Sequence, residues 1–209
     1  MVNTATGILH LEIGAAPGVS SAPSSTGPHI THLFVALAGV DVHSSPLARD
    51  DTPGWQPLTQ QRPVQVDLLA DPSPGGSASF IPDSVLPAGV YRQIRLRLAS
   101  LPSASLPPAS LALDESVLAA NHCGTNSPHC AVMSDGRVLP LIFPPSRPDL
   151  RMTLESAPGR ELYVPPDGTV TLAIELDPAR SYLWPSGESV LFAPVFHLSV
   201  LPPNSSSQD

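Results

Sequence analysis

The sequence predicts an all-β protein, an antiparallel, immunoglobulin-like β-sandwich with about nine short strands and long proline-rich loops. Apolar residues recur at every second position in many short segments, the pattern of strands that bury one face. Turn residues separate these segments at the spacing typical of sandwiches. The chain also holds 27 prolines, and proline excludes long helices because it lacks an N–H and its ring clashes with the preceding turn.

Three alternating segments in the first half of the chain predict strands. They run from Gly7 to Ile13, from Ile30 to His43 and from Val90 to Ala99. The apolar positions of each segment are expected to face the core. At the polar positions of the last two segments we expect side chains that face water, namely Asp41, His43, Tyr91, Gln93, Arg95 and Arg97. Trp55 is expected to be an aromatic plug in the core.

The second half of the chain shows the same alternation and one clear hairpin signal. Asp135-Gly136 lies between two apolar runs and predicts a hairpin with a type I′ turn. Thr169 to Asp177 alternates well, and Val190 to Leu201 closes the pattern. Pro194 interrupts that last segment and indicates an edge strand or a bulge, because proline cannot donate to a central ladder.

One domain accounts for the whole pattern. We expect a single β-sandwich domain over residues 6–201, with a flexible N-terminus at residues 1–5 and a flexible tail at residues 202–209. Residues 100–130 are predicted to be an irregular insertion that carries both cysteines. Within that insertion, Asp114 to Ala120 is the best helical candidate.

Charge and hydropathy exclude several classes of function. The net charge is −8, and Arg92, Arg95 and Arg97 form the only basic cluster in the sequence, so nucleic acid binding is not expected. No apolar run is long enough for a transmembrane helix. No signal sequence is visible at the N-terminus, which leaves an exported protein whose signal has been removed and a cytoplasmic protein as alternatives.

Cys123 and Cys130 predict a disulfide that closes a small loop, and hence an oxidising compartment. The alternative is a metal site built from His122, Cys123, His129 and Cys130, which would need reduced thiols. The C-x₂-C spacing that strongly indicates a metal is absent. No other metal site and no cofactor is predicted.

The order of short motifs along the chain resembles a bacterial family, the domain of unknown function 4382, found in secreted proteins and lipoproteins. The resemblance covers roughly residues 6–201 and rests on segments that are individually short. These are Gly7–Ile13, Phe34–Ser45, Trp55–Leu58, Val66–Leu69, Leu86–Leu96, Asp135-Gly136, Pro140-Leu141, Thr171–Ser181 and Pro194–Phe196. The resemblance implies an extracytoplasmic β-sandwich of the prealbumin type, and it implies no reaction.

Two departures from the family pattern affect what carries over. The family's first strand is usually followed by an aspartate-containing turn, whereas Gly14-Ala15-Ala16-Pro17 has no acid. A carboxylate ligand role is therefore not transferred to this turn. The stretch from Ser100 to Cys130 looks like an insertion with its own cysteines, and the particular role of this protein is expected to lie there.

Candidate chemistry in the sequence is sparse. The serines lie in proline-rich loops without a nucleophile elbow, so no catalytic residue is predicted. A glycan-binding surface would need exposed aromatic side chains, for which Tyr91, Tyr182 and Trp184 are the candidates.

The sequence therefore predicts a non-enzymatic, periplasmic or extracellular protein. It would be a structural or accessory subunit of a bacterial cell-envelope or surface assembly that acts through other protein subunits. A ligand-binding module for a glycan or a metal, on a secreted protein, is the alternative.

Overall fold

The computed structural model describes residues 5–15, 29–58, 64–70, 79–99, 122–124, 127–144, 149–154, 161–186 and 188–201. These residues form fifteen β-strands and contain no helix, which confirms the all-β prediction. They therefore include no helix long and apolar enough to cross a membrane. Residues 1–4, the tail at 202–209 and the helical candidate Asp114–Ala120 lie outside the described residues.

The strands are short except for the first two and the fifth. Their bounds are β1 Thr6–Ala15, β2 Ile30–His43, β3 Gln56–Pro57, β4 Val64–Asp67, β5 Ser79–Pro87, β6 Gly89–Tyr91, β7 Gln93–Leu98, β8 Cys130–Met133, β9 Val138–Ile142, β10 Asp149–Thr153, β11 Leu162–Val164, β12 Thr169–Leu176, β13 Tyr182–Ser186, β14 Ser189–Ala193 and β15 Phe196–Leu201. The described strands thus outnumber the nine expected, partly because Pro194 divides the last segment into β14 and β15.

The strands form three sheets. The four-stranded sheet has the order β15-β12-β1-β5, and the two-stranded sheet pairs β11 with β6. The large sheet follows the order β10-β7-β2-β8-β9-β14-β13, with β3 and β4 also paired to β2. Most pairs are antiparallel, but β1–β12 and β9–β14 are parallel. The expectation of purely antiparallel sheets is therefore wrong at these two pairs, which join strands that are distant in sequence.

One hydrophobic core is shared by the four-stranded and the large sheet. It takes Leu9, Leu11 and Ile13 from β1 and alternate residues from β2, β7 and β12. All of these side chains are almost completely buried, and each contributes about 1.5–3 kcal/mol through removal of its surface from water. Most of the apolar positions that the alternation predicted to face the core do so, whereas Leu98 is only partly buried and Ile8 is exposed.

The hairpin at Asp135-Gly136 joins β8 to β9 as predicted, but with a different turn. Only Gly136 has a positive φ, at 84°, whereas a type I′ turn needs positive φ at two residues. The N–H of Gly136 donates to the carbonyl of Met133, and the N–H of Met133 donates to Arg137. The loop therefore has three residues, a type I turn followed by a left-handed glycine.

The prediction that the polar positions of β2, β6 and β7 face water is wrong for all of them except Arg97, which is partly exposed. Asp41, His43, Tyr91, Gln93 and Arg95 are all buried. Residues 44–58 fold back over the outer face of the large sheet, and Leu58 donates its N–H to the carbonyl of Val40. The alternation shows which positions of a strand are polar, but it does not show whether they are buried. Their burial depends on how residues 44–58 pack.

Gly7 lies where β1 passes against the turn before β12. The N–H of Ile8 donates to Gly168, and the N–H of Asp167 donates to Thr6. A Cβ at position 7 would lie 2.1 Å from the carbonyl oxygen of Pro165, which is backbone and cannot rotate away.

We expect Gly7→Ala to lower the free energy of unfolding by about 1–3 kcal/mol, the usual range for overpacking. Thr169→Ala, at an exposed position on the neighbouring strand, is the control and should change stability by less than ~0.5 kcal/mol. Urea denaturation followed by tryptophan fluorescence measures both. Equal stability of the two variants would contradict this account of the turn.

Candidate functional site

A buried carboxylate lies at the centre of the outer face of the large sheet. Asp41 on β2 stands directly opposite Arg95 on β7. The Nε and Nη2 of Arg95 donate hydrogen bonds to Asp41 Oδ2 at 3.1 and 2.7 Å. The two side chains are only 5% and 10% exposed, so the pair is largely removed from water.

A second guanidinium reaches the same oxygen. Arg97 Nε lies 2.9 Å from Asp41 Oδ2, but its N–H is not directed at that atom and makes no hydrogen bond among the described residues. The contact is therefore an ion pair alone. The planar guanidinium of Arg97 lies against Gly39, where a Cβ would come within 2.2 Å of Nη2.

Asp50 extends the cluster from the covering segment. Arg95 Nη1 lies 3.4 Å from both the carbonyl and Oδ1 of Asp50. Arg151 on β10 donates to Asp50 Oδ1 and to the carbonyl of Ala48. Three guanidinium groups and two carboxylates thus join β2, β7 and β10 to residues 44–58.

Trp55 covers this cluster. Its ring centroid is 4.2 Å from Cζ of Arg95, a cation–π contact, and its Nε1 donates to the carbonyl of Arg49 at 2.8 Å. Trp55 is therefore not a plug in the core between the sheets, as the sequence suggested. It lies on the outer face and shields the ion pairs from water.

His43 fixes the start of the covering segment. Its Nδ1 accepts the N–H of Ser45 at 2.8 Å, so Nε2 carries the proton and donates to the carbonyl of Pro53 at 3.1 Å. The ring also lies 5.2 Å from that of Trp55. Both nitrogens are occupied, and His43 has neither a free lone pair nor a free N–H for proton transfer.

The chemistry of this cluster is structural. Asp41 is directed at two guanidinium groups and is shielded from solvent, which leaves it no role as a base or nucleophile toward a substrate. Burying ions carries a desolvation cost that offsets much of their attraction, but removing one partner leaves an uncompensated charge. The cluster holds residues 44–58 in one position over the sheet.

A disulfide joins Cys123 and Cys130, the pair that the sequence singled out. Gln65 on β4 attaches the bonded loop to the sheet. Its Nε2 contacts Cys123 Sγ at 3.3 Å and the carbonyl of Pro128 at 3.2 Å, and its Oε1 accepts the N–H of His122 at 3.0 Å.

A stack of three rings completes the attachment of the loop. The His122 ring lies 4.4 Å from that of Phe34, which lies 5.6 Å from that of His32 on its other side. The interplanar angles are 10° and 13°. His32 also contacts Asp67 through Nδ1 at 2.8 Å, so the stack continues into a polar contact on β4.

His129 connects two strands that do not pair with each other. β7 and β8 each pair with β2, and the His129 side chain lies between their ends. Its Nδ1 accepts the N–H of Ala36 at 3.1 Å, and its Nε2 donates to the carbonyl of Ala99 at 2.8 Å. Burial lowers the pKa of His129, and the hydrogen bond to Ala99 opposes that shift. The neutral ring thus takes the place of backbone pairing at this junction.

The four residues of the alternative metal site do not form one. Both sulfurs are in the disulfide, both nitrogens of His129 are hydrogen-bonded within the fold, and the His122 ring is stacked on Phe34. In the described part of the chain, no group of three or more histidine, cysteine, aspartate or glutamate residues is arranged to hold a metal ion.

Tyr91, one of the three aromatic candidates for a glycan-binding surface, is not available to a glycan. Tyr91 is buried, its hydroxyl donates to the carbonyl of Pro87 at 2.8 Å, and burial raises its pKa. The prediction that Tyr91 faces outward is wrong, because its side chain packs in the hydrophobic core. The backbones of Tyr182 and Trp184 form part of β13, but their side chains lie outside the described part of the structure.

Sequence reasoning missed the roles of Asp41, Asp50, Arg95 and His129. One signal was available, since Asp41 and Arg95 both lie on strands otherwise rich in apolar residues. A charged residue on such a strand indicates either solvent or a partner of opposite sign. The positions alone do not identify the partner, because pairing depends on the register of β2 against β7.

These features define an all-β domain whose outer sheet face is held by internal ion pairs and whose one cysteine pair is oxidised. The chain matches the family described as a domain of unknown function, DUF4382, over residues 18–193, and it belongs to that family. No curated protein and no solved structure matches it.

We expect Asp41→Asn to lower the free energy of unfolding by about 3 kcal/mol, because it leaves buried guanidinium groups without their counter-charge. Asp135→Asn is the matched control, since Asp135 pairs with Arg137 on the surface, where water screens the pair, and it should lower stability much less. Guanidinium chloride would screen these charges, so urea denaturation is the measurement. A wild-type midpoint for Asp41→Asn would show that the cluster does not hold the covering segment.

The lowered pKa of His129 predicts a loss of stability in mild acid. The unfolded chain takes up the proton near pH 6.5, whereas the folded ring resists it, so this contribution is complete above that pH and is lost as the pH falls below it. His129→Gln keeps one acceptor and one donor but does not titrate. Urea unfolding at pH 7.5 and pH 5.5 should show a smaller acid loss for the variant than for the wild type. Equal losses would contradict the assignment.

Proposed function

We propose that this protein is a non-catalytic, extracytoplasmic module that acts by protein–protein contact in a bacterial cell-envelope or surface assembly. The proposal rests on the observation that the charged groups on the outer face of the large sheet serve to bind parts of the fold together. Asp41, Arg95, Asp50 and Arg151 bind one another and a covering segment, with the carboxylate of Asp41 shielded from solvent. Such a cluster supports a rigid scaffold.

The disulfide supports an extracytoplasmic location. Disulfides persist in the periplasm and outside the cell, whereas cytoplasmic thiols are kept reduced. Cys123–Cys130 also has a structural task, since the bonded loop carries His129 between β7 and β8 and His122 onto Phe34. A protein whose sheet junction depends on this loop is suited to an oxidising compartment.

A finer fold assignment is part of the proposal. We infer that the four-stranded and large sheets pack face to face as a β-sandwich of the prealbumin type, as the family resemblance implies. The shared hydrophobic core supports this, because β1 and β12 bury their alternate residues in the same cluster as β2 and β7. In this arrangement the loops and strand edges are the surfaces available to partners.

A ligand-binding module is the second candidate, supported by the stack of His32, Phe34 and His122. The side chain of His32 is 53% exposed, and its contact with Asp67 fixes the orientation of a ring whose face could pack against a sugar. Glycan-array binding that His32→Ala abolishes would favour this function over the first.

The first proposed function predicts that, in the protein's own cells, the two cysteines are oxidised to a disulfide and the protein is bound to an envelope partner. Alkylation of free thiols before lysis should leave Cys123 and Cys130 unlabelled, because the disulfide forms after export. Crosslinking of intact cells followed by mass spectrometry should then recover a defined envelope protein with the chain. Labelled thiols together with recovery of the monomer alone would contradict both the location and the role.

A further inference from the structure

The two edges of the four-stranded sheet differ in how they are protected. β5 and β15 are the outer strands of this sheet, and each is paired on one side only in the described part of the chain. An unpaired strand edge can accept a further strand, so proteins usually block it with proline or charge. β5 contains Pro82, Asp83 and Pro87, whereas β15, with the sequence Phe-His-Leu-Ser-Val-Leu, contains neither proline nor a carboxylate, lysine or arginine.

The hydrogen bonds determine which backbone groups of β15 face outward. The N–H of Asp177 donates to Val195, and these two residues continue the register of β12 against β15. In an antiparallel ladder, hydrogen-bonded and non-hydrogen-bonded pairs alternate. The backbone groups that point toward β12 therefore belong to His197, Ser199 and Leu201. Those that point toward the free edge belong to Phe196, Leu198 and Val200.

The same three residues carry incompletely buried apolar side chains. Phe196, Leu198 and Val200 pack against the core but remain partly exposed. Their partners on β12, Leu176, Ile174 and Leu172, are 0% exposed. A strand added beside β15 would cover the exposed apolar surface and satisfy the outward N–H and C=O groups together.

Charge on the outer face of the sheet indicates which strand would fit. The four strands carry Glu12, Asp83 and Glu175 and contain no arginine or lysine. A strand added at β15 would lie two strand spacings, roughly 10 Å, from Glu175, about one Debye length in 0.1 M salt. At that distance salt weakens the attraction without removing it, so a basic side chain on its outward face is favoured over an acidic one. A second copy of this chain fits less well, since β15 brings no cation and each copy has a net charge of −8.

We propose that β15 binds an extended segment of a partner protein as an added strand, with apolar residues facing the core and arginine or lysine at the alternate, outward positions. This inference rests on the proposed function and names the surface and the chemistry of the contact. Main-chain hydrogen bonds would supply affinity, and the side chains at alternate positions would supply specificity.

Amide hydrogen exchange by NMR tests the contact with a defined probe. An eight-residue peptide of alternating valine and arginine is titrated into the full chain, and a valine–glutamate peptide is the control. In the free protein, the amides of Phe196, Leu198 and Val200 should exchange faster than those of His197 and Ser199. The basic peptide should slow the outward amides by about tenfold or more at saturation, equivalent to 1.4 kcal/mol of protection. The acidic peptide should slow them less.

Two proline substitutions locate the binding edge. Leu198→Pro removes an outward N–H without breaking the ladder to β12, and proline is tolerated at such edge positions. Val85→Pro is the matched control, since Val85 also points its N–H away from its sheet, at the free edge of β5. We expect Leu198→Pro to abolish peptide protection and Val85→Pro to leave it unchanged. Val200→Pro replaces Leu198→Pro if that variant does not fold.

Each other outcome overturns the inference. Outward amides that the basic peptide does not protect exclude strand addition of this kind, as does equal binding by both peptides. A dimer in sedimentation velocity that Leu198→Pro dissociates would show that a second copy occupies the edge instead. The cellular crosslinking experiment distinguishes failure of this inference from failure of the proposed function. If Leu198→Pro still crosslinks to its envelope partner in cells, the partner binds elsewhere, whereas wild-type protein with no partner contradicts the function itself.

Discussion

The arrangement of the large sheet depends on the ion pairs that the Asp41 carboxylate makes with Arg95 and Arg97. β2 is long and passes through the middle of that sheet, so one of its faces meets the core while the other would ordinarily meet water. A charge placed on that second face is instead paired with Arg95 and Arg97 and covered by Trp55. An uncompensated charge would be costly there, so residues 44–58 and the registers of β7 and β10 are fixed together.

The disulfide loop performs a related task at the other end of β2. β7 and β8 share the same side of β2 but are separated in sequence by residues 99–129, and a gap is left between their ends. His129 fills it by hydrogen bonding to Ala36 and Ala99. The Cys123–Cys130 bond keeps this histidine close to the strand it must reach. The disulfide-bonded loop thus supplies the residue that links the ends of the two strands.

The sequence predicted the features that are local and missed those that depend on distant segments. The buried positions of β1, β7 and β12, the hairpin at Asp135-Gly136 and the cysteine pair all follow from spacing between near neighbours. The burial of Asp41 and Arg95, the cover provided by Trp55 and the parallel pairing of β1 with β12 do not. Each of these depends on which remote segment packs against a strand, and alternation of polar and apolar residues contains no such information.

The two sheets consequently present different surfaces. Over β2, β7 and β10, the outer face of the large sheet is occupied by its own covering segment and ion pairs, so the charged side chains there have internal partners. At the edge of the four-stranded sheet, Phe196, Leu198 and Val200 have backbone groups directed outward and apolar surface left uncovered. Proline and aspartate on β5 make the opposite edge a poor template. A module whose covering segment is held by ion pairs, and whose β15 edge is unpaired in the described part of the chain, can be joined by a partner's strand there without rearranging its own core.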